Sequence, residues 1–163
     1  MAKKKSSKKG LNLGKILYLV AAVLGVVAVV MMFANVVEYE LLNKTVGFKG
    51  NEVVFGYTNE LDVKTLEFSF MALLPYLLTI AGVVLTLVNA FAKKNNKILD
   101  FVSAAVLVVA GVLFFCMPNF MVFGKNAIIS KNIDYKLAVG AIVAAICAIA
   151  SGAVVLVKTL LKK

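Results

Sequence analysis

The chain predicts an all-α membrane protein, a four-transmembrane-helix bundle with a small β-hairpin or sheet in its first extracytoplasmic loop. Three observations carry that expectation. Four stretches, 16–37, 68–92, 101–124 and 137–157, each exceed 20 residues without a charged side chain. At 1.5 Å of rise per residue, each is long enough to cross a hydrocarbon core of about 30 Å as a helix. The chain is 62% hydrophobic with a mean hydropathy of +0.96, where a soluble domain holds about 45–50% apolar residues. Its lysines gather at the ends of the apolar stretches.

Separate spans of this length must satisfy their backbone hydrogen bonds internally, which in lipid means helix. Residues 1–15 form a lysine-rich tail with six lysines, and residues 16–163 form one four-helix membrane domain. The first span has the basic flank of a signal peptide. It is longer than a 7–15 residue signal core, and Met32-Phe33-Ala34 is a poor cleavage site, so it is read as retained.

The outer loop 38–67 carries strand chemistry. Thr45-Val46-Gly47-Phe48 and Val53-Val54-Phe55-Gly56-Tyr57 flank Lys49-Gly50-Asn51-Glu52, and this pattern predicts a hairpin turning at the tetrapeptide. Val37-Glu38-Tyr39-Glu40-Leu41 alternates and offers a third strand. Pro75 removes an N–H from the second span and predicts a bend near its outer end. Asp100 falls in the first turn of the third span, where a carboxylate suits the helix dipole. The second outer loop, 118–136, echoes the first. Met121-Val122-Phe123, Gly124-Lys125-Asn126 and Ala127-Ile128-Ile129 predict a second strand pair that ends the third helix near Pro118. Asp134 is the N-cap candidate for the fourth span. Lys15-Ile16-Leu17 matches Lys97-Ile98-Leu99 at a shift of 82, which raises a duplicated helix pair as one origin of the fold.

Lysine counts set the orientation. The tail, the turn Lys93-Lys94-Asn95-Asn96-Lys97 and the C-terminal end together hold twelve lysines, against six in the two longer loops. That asymmetry places both termini in the cytoplasm of a multi-pass cell-membrane protein. Lysine without arginine, with many Asn and Ile, is also the usage of an AT-rich bacterial genome.

Small and weakly polar residues recur at spacings of three and four. They include Gly25 and Ala28 on the first helix and Gly82 and Thr86 on the second. The fourth carries Gly140, Ala144, Ala148 and Gly152 in a four-spaced row. Helices in lipid associate by close backbone approach, so these rows predict helix-packing faces. The fourth-helix row also admits a lateral homo-oligomer. Cys116 and Cys147 sit at different depths, beyond the roughly 7 Å limit between α-carbons for a disulfide, and are read as packing residues.

The long, strand-bearing first outer loop, short inner turn, smaller second outer loop and inner termini are together similar to the layout of claudin-type tetraspan proteins. The Trp-Gly-Leu-Trp and two-cysteine signature of that family's first loop is missing, and the chain has no tryptophan. The likeness is one of layout, and no residue role is carried over.

Several function classes are disfavoured. A net charge of +10 without arginine or interleaved aromatics does not describe a nucleic-acid surface. The absence of histidine removes the commonest metal ligand and general base. No nucleophile–base pair stands out, so no catalytic, cofactor-binding or metal residue is assigned. Mid-span charges, the usual mark of ion and proton pathways, are missing; Asn35, Asn89, Thr79 and Thr86 are the remaining polar candidates, and packing hydrogen bonds suit them better. The expectation is a non-enzymatic interaction or structural protein using its outer loops, with a small channel, transporter or transporter subunit as the alternative. Glu38, Glu40, Phe48, Phe55 and Tyr57 are the residues expected to form a partner surface. The bilayer itself is one partner, and the lysine tail suits anionic lipid at about 1 kcal/mol per lysine.

Overall fold

The computed structural model describes residues 13–60, 62–92, 96–125 and 133–161. Helix α1 (Leu13–Val30) ends in a 3₁₀ turn, Met31–Phe33, and gives way to strand β1 (Asn35–Leu41). Then come β2 (Lys44–Lys49), the short helix α2 (Gly50–Phe55), β3 (Tyr57–Thr58), β4 (Lys64–Leu66) and α3 (Phe70–Phe91). The rest is α4 (Lys97–Phe115), a 3₁₀ turn at Met117–Phe120, β5 (Lys136–Leu137) and α5 (Val139–Leu161). Four helical stretches of 19 to 23 residues are long and apolar enough to cross a membrane.

The four long helices run alternately up and down and close into a ring. Helices α1 and α4 lie on opposite corners, each packed against both α3 and α5. Small residues line much of the interior, beside the larger Tyr76, Leu107 and Phe114. Ala21, Gly25, Ala28, Gly82, Ala144 and Ala148 are buried, while Leu19, Val23, Ile80, Val84, Val109 and Ile146 are exposed. In water the larger aliphatic side chains would be inside. Many small residues within and branched aliphatics without are compatible with helices packed in lipid, where backbone proximity drives association.

The expected packing rows behave as interior faces. A Cβ on Gly82 would lie 2.6 Å from Cγ of Leu107, and one on Gly152 would lie 2.9 Å from the Ala104 carbonyl. One on Gly25 would collide with Val83, and one on Gly140 with the Asn35 carbonyl. Thr86 is buried and donates to the Gly82 carbonyl at 2.8 Å. Ser151 donates across helices to the Ala21 carbonyl at 2.7 Å. The Gly140, Ala144, Ala148, Gly152 row is thus occupied within this chain.

At one end of the bundle sits the sheet cap, and here the local expectations need correction. The tetrapeptide Lys49-Gly50-Asn51-Glu52 is no hairpin turn. It begins α2, with Lys49 as N-cap and its N–H bonded to the Glu52 carboxylate at 2.9 Å. The hairpin instead joins β1 to β2 through Leu42 and Asn43, both at positive φ (50° and 63°), the backbone of a type I′ turn. The segment read as an optional third strand is the central one, in the order β2-β1-β5. The first span therefore stops at Phe33 rather than Val37, because the residues from Asn35 onward are paired in a sheet.

The second loop joins the cap, by a different route from the one expected. Helix α4 ends at Phe115, and Phe123 bridges to Leu66. Val122 and Thr65 accept backbone bonds from Glu67 and Gly124 at 2.8 and 3.1 Å. The strand that extends the main sheet is Lys136–Leu137, so Asp134 caps no helix, and α5 starts at Val139. The expected strand at Ala127-Ile128-Ile129 lies outside the described residues. One apolar core runs from the cap into the bundle, linking Val37, Tyr39, Phe48 and Leu66 to Tyr76, Phe114 and Ala144.

Candidate functional site

Pairing of Val37 with Phe48 and Tyr39 with Val46 puts these four side chains on one face of the β1–β2 hairpin. That face looks onto α2, β3 and β4. Between them lies a cavity of about 320 Å³, lined by Tyr39, Val46, Gly47, Phe48, Glu52, Tyr57, Asn59 and Thr65. Tyr39 and Phe48 stack with centroids 5.7 Å apart and 25° between planes. Tyr57 meets Phe48 edge-on at 5.9 Å and 62°. Tyr135 extends the cluster edge-on to Tyr39 at 5.6 Å, and Phe123 lies 5.3 Å from Tyr135. Burial raises the Tyr39 phenol above its usual pKa, with the nearby Tyr57 adding to it. Burial likewise raises Tyr135 to about 12, with Tyr39 adding. Both phenols are neutral hydrogen-bonding groups at ordinary pH.

The five residues expected to form a partner surface divide. Phe55 is 61% exposed and lies 6.5 Å from Phe68, whose ring is also exposed. Glu40 is exposed and meets Lys136 at 3.2 Å, a pair worth at most about 1 kcal/mol in solvent. Glu38 is half-buried in β1, opposite Gly47 and Lys136. Tyr57 is half-buried at the cavity. Phe48 is 3% exposed and belongs to the core, because its strand position faces inward.

At the opposite end of the bundle, all four long helices meet in a buried polar cluster. Asp100 of α4 is 1% exposed. It accepts from Tyr18 of α1 at 2.7 Å, Asn89 of α3 at 2.6 Å and Lys158 of α5 at 2.8 Å. Thr159 of α5 lies 3.1 Å from Oδ2 of Asp100 and 2.9 Å from the Val155 carbonyl, with one hydrogen to share between them. The Lys158 ammonium also donates to the Tyr18 hydroxyl and stands 4.1 Å from the centre of its ring. Asn89 ties in the turn, accepting from the Asn96 N–H and donating to its carbonyl, both at 2.9 Å. The Asn96 side chain caps α4 through the Ile98 N–H at 3.0 Å.

This ion pair was missed from sequence because Asp100 and Lys158 fall just outside the charge-free stretches 101–124 and 137–157. A signal was nonetheless present. In an up-down bundle the start of α4 and the end of α5 share a depth, so an acid four residues into one can meet a lysine four residues from the end of the other. Asn89 takes the packing role expected of it, whereas Asn35 lies in an exposed strand position.

Among the described residues, no group of three or more His, Cys, Asp or Glu side chains converges to hold a metal. Cys116 and Cys147 are unpaired thiols. The chain matches no protein-family model and no curated protein.

Proposed function

We propose that this chain is a non-enzymatic, multi-pass protein of the cell membrane whose sheet cap faces outward and recognises another molecule. Both termini lie in the cytoplasm in this reading, where the lysine tail holds anionic lipid. The observation that carries it is the continuous core joining cap and bundle. A two- or three-stranded sheet on its own is marginal; anchored on the helix ends, it becomes a fixed platform carrying the aromatic cavity and the exposed ring of Phe55. The bundle interior supports the same reading. Its middle is filled by Ala21, Gly25, Gly82, Leu107 and Ala148, and the charged pair lies at one end, where it clasps the helices together.

Site-specific photo-crosslinking in native membranes tests this. A photoreactive residue replacing Phe55 or Glu40 is expected to give discrete adducts with an extracytoplasmic molecule, while one replacing Val109 on the lipid-facing surface gives lipid alone. Absence of adducts from every cap position refutes recognition of a macromolecule through the exposed surface of the cap. Solute flux through liposomes carrying the purified chain would replace this reading with the channel one.

A further inference from the structure

We propose that the cavity beneath the outer sheet binds a small organic ammonium ion, which deepens the reading of the cap as a recognition element and rests on it. A volume of about 320 Å³ falls at the small end of ligand pockets. At about 30 Å³ per water-sized group it accommodates on the order of ten non-hydrogen atoms. Its lining contains three aromatic rings, one carboxylate and no cationic side chain. Tyr57, half-buried, is the ring with most surface open to the cavity; it stands at 62° to the buried Phe48, with the stacked Tyr39 behind. A cation is attracted to the face of an aromatic ring within about 6 Å of its centre, and Tyr57 beside Glu52 offers such a ring next to a carboxylate. An anion would meet the negative ring faces and Glu52 together, and would be repelled.

Glu52 supplies the charge and is already positioned. Its Oε2 is held by the Lys49 N–H at 2.9 Å, leaving Oε1 uncommitted among the described residues. The surroundings agree in sign: loop 38–67 carries six acids and three lysines, a net −3 in a chain of +10. Such a patch concentrates cations near the cavity mouth.

The capping role of Glu52 makes the test clean. Gln serves at the third helical position as Glu does, so Glu52→Gln keeps the cap and removes only the charge. The full chain in lipid nanodiscs is titrated by calorimetry with choline and with 3,3-dimethyl-1-butanol, its neutral isostere. Choline is expected to bind saturably, and the isostere at least about tenfold more weakly. Glu52→Gln is expected to weaken choline by about tenfold or more without changing Tm. Tyr57→Leu does the same by removing a ring, whereas Tyr57→Phe leaves binding in place. No choline binding, equal affinity for the two probes, or full binding by Glu52→Gln overturns the proposal. So does saturable binding of an extended peptide along the open edge of β2 with none of choline. Adducts from Phe55 without choline binding sink this inference alone; choline binding without adducts keeps the cavity and confines recognition to a small ligand.

Discussion

Removing Asp100 is the perturbation whose consequence the structure constrains most tightly. The Asp100 carboxylate is the shared acceptor of Tyr18, Asn89 and Lys158, with Thr159 within reach, so all four bundle helices contribute. The Asp100 and Lys158 side chains are 1% and 3% exposed. Replacing one partner of such a pair strands the other as a buried charge, at about 3–5 kcal/mol. Two effects pull the figure down. Hydrogen bonds between membrane helices average only about 0.6 kcal/mol in double-mutant cycles, and a lysine one turn from a helix end can extend toward the headgroups. Desolvation of the ammonium outweighs both while Nζ stays beneath Tyr18. Asp100→Ala is therefore expected to destabilise the bundle by about 3 kcal/mol, near the low end of that range. Lys158→Met should cost a similar amount, since it strands the carboxylate. The double variant is expected to lose less than the sum by about 2 kcal/mol, because neither charge is then left alone. Reversible unfolding in bicelles by steric trapping measures all three. Single variants within about 0.5 kcal/mol of the parent, or strictly additive losses, would refute the view that a buried pair clasps the helices.

The other expectations concern packing, the turn and the phenols. Gly152→Val should destabilise by about 1–3 kcal/mol through overpacking, since its Cβ would stand 2.9 Å from the Ala104 carbonyl; Ala153→Val on the exposed face should change little in the same unfolding assay. Leu42 is 90% exposed at φ 50°, a backbone region that costs a bulky L-residue roughly 1–2 kcal/mol. Replacing Leu42-Asn43 by Asn-Gly should thus slow hydrogen exchange in β1 and β2 by about fivefold, and faster exchange would count against the turn assignment. Tyr39 and Tyr135 ionise above the usual phenol range, Tyr135 at about 12. Between pH 10 and 12 the unfolded phenol has lost protons that the folded one keeps, so stability of the cap falls as pH rises through that window and is flat in these groups below it. Ultraviolet titration of the phenols beside thermal melts checks this; phenols of the cap all titrating near pH 10 would contradict it.

How far the fold could be read from sequence depended on which physical signal decided each element. Uninterrupted apolar length marked the four long helices, because it is a one-dimensional property, and several small residues of the expected rows lie inside the bundle. The cap was harder. Asn35, Val36 and Val37 continue the apolar run of α1, and only pairing with β2 makes them strand. The Lys49–Glu52 stretch has turn composition, yet the same residues suit a helix start. The real turn uses Leu42, which gives no turn signal at all. The aromatic cavity was half visible: Tyr57 and Phe48 were singled out, but which way each side chain faces depends on register, which a misplaced turn inverts. Glu52 reads as a turn residue in the sequence, and its place at the cavity follows from α2. The Asp100–Lys158 pair spans 58 residues and is a property of depth rather than of either local segment.

The most direct test of the account is the sidedness of Asn43. It occupies the exposed tip of the β1–β2 hairpin. In a chain with Cys116→Ser and Cys147→Ala, a cysteine is placed at Asn43 or, separately, at Ser6 in the lysine tail. A membrane-impermeant maleimide applied to intact cells should modify the first at once and the second only after lysis. Protection of the Asn43 position until lysis, or equal labelling of both in intact cells, would contradict a four-span chain with its cap outside.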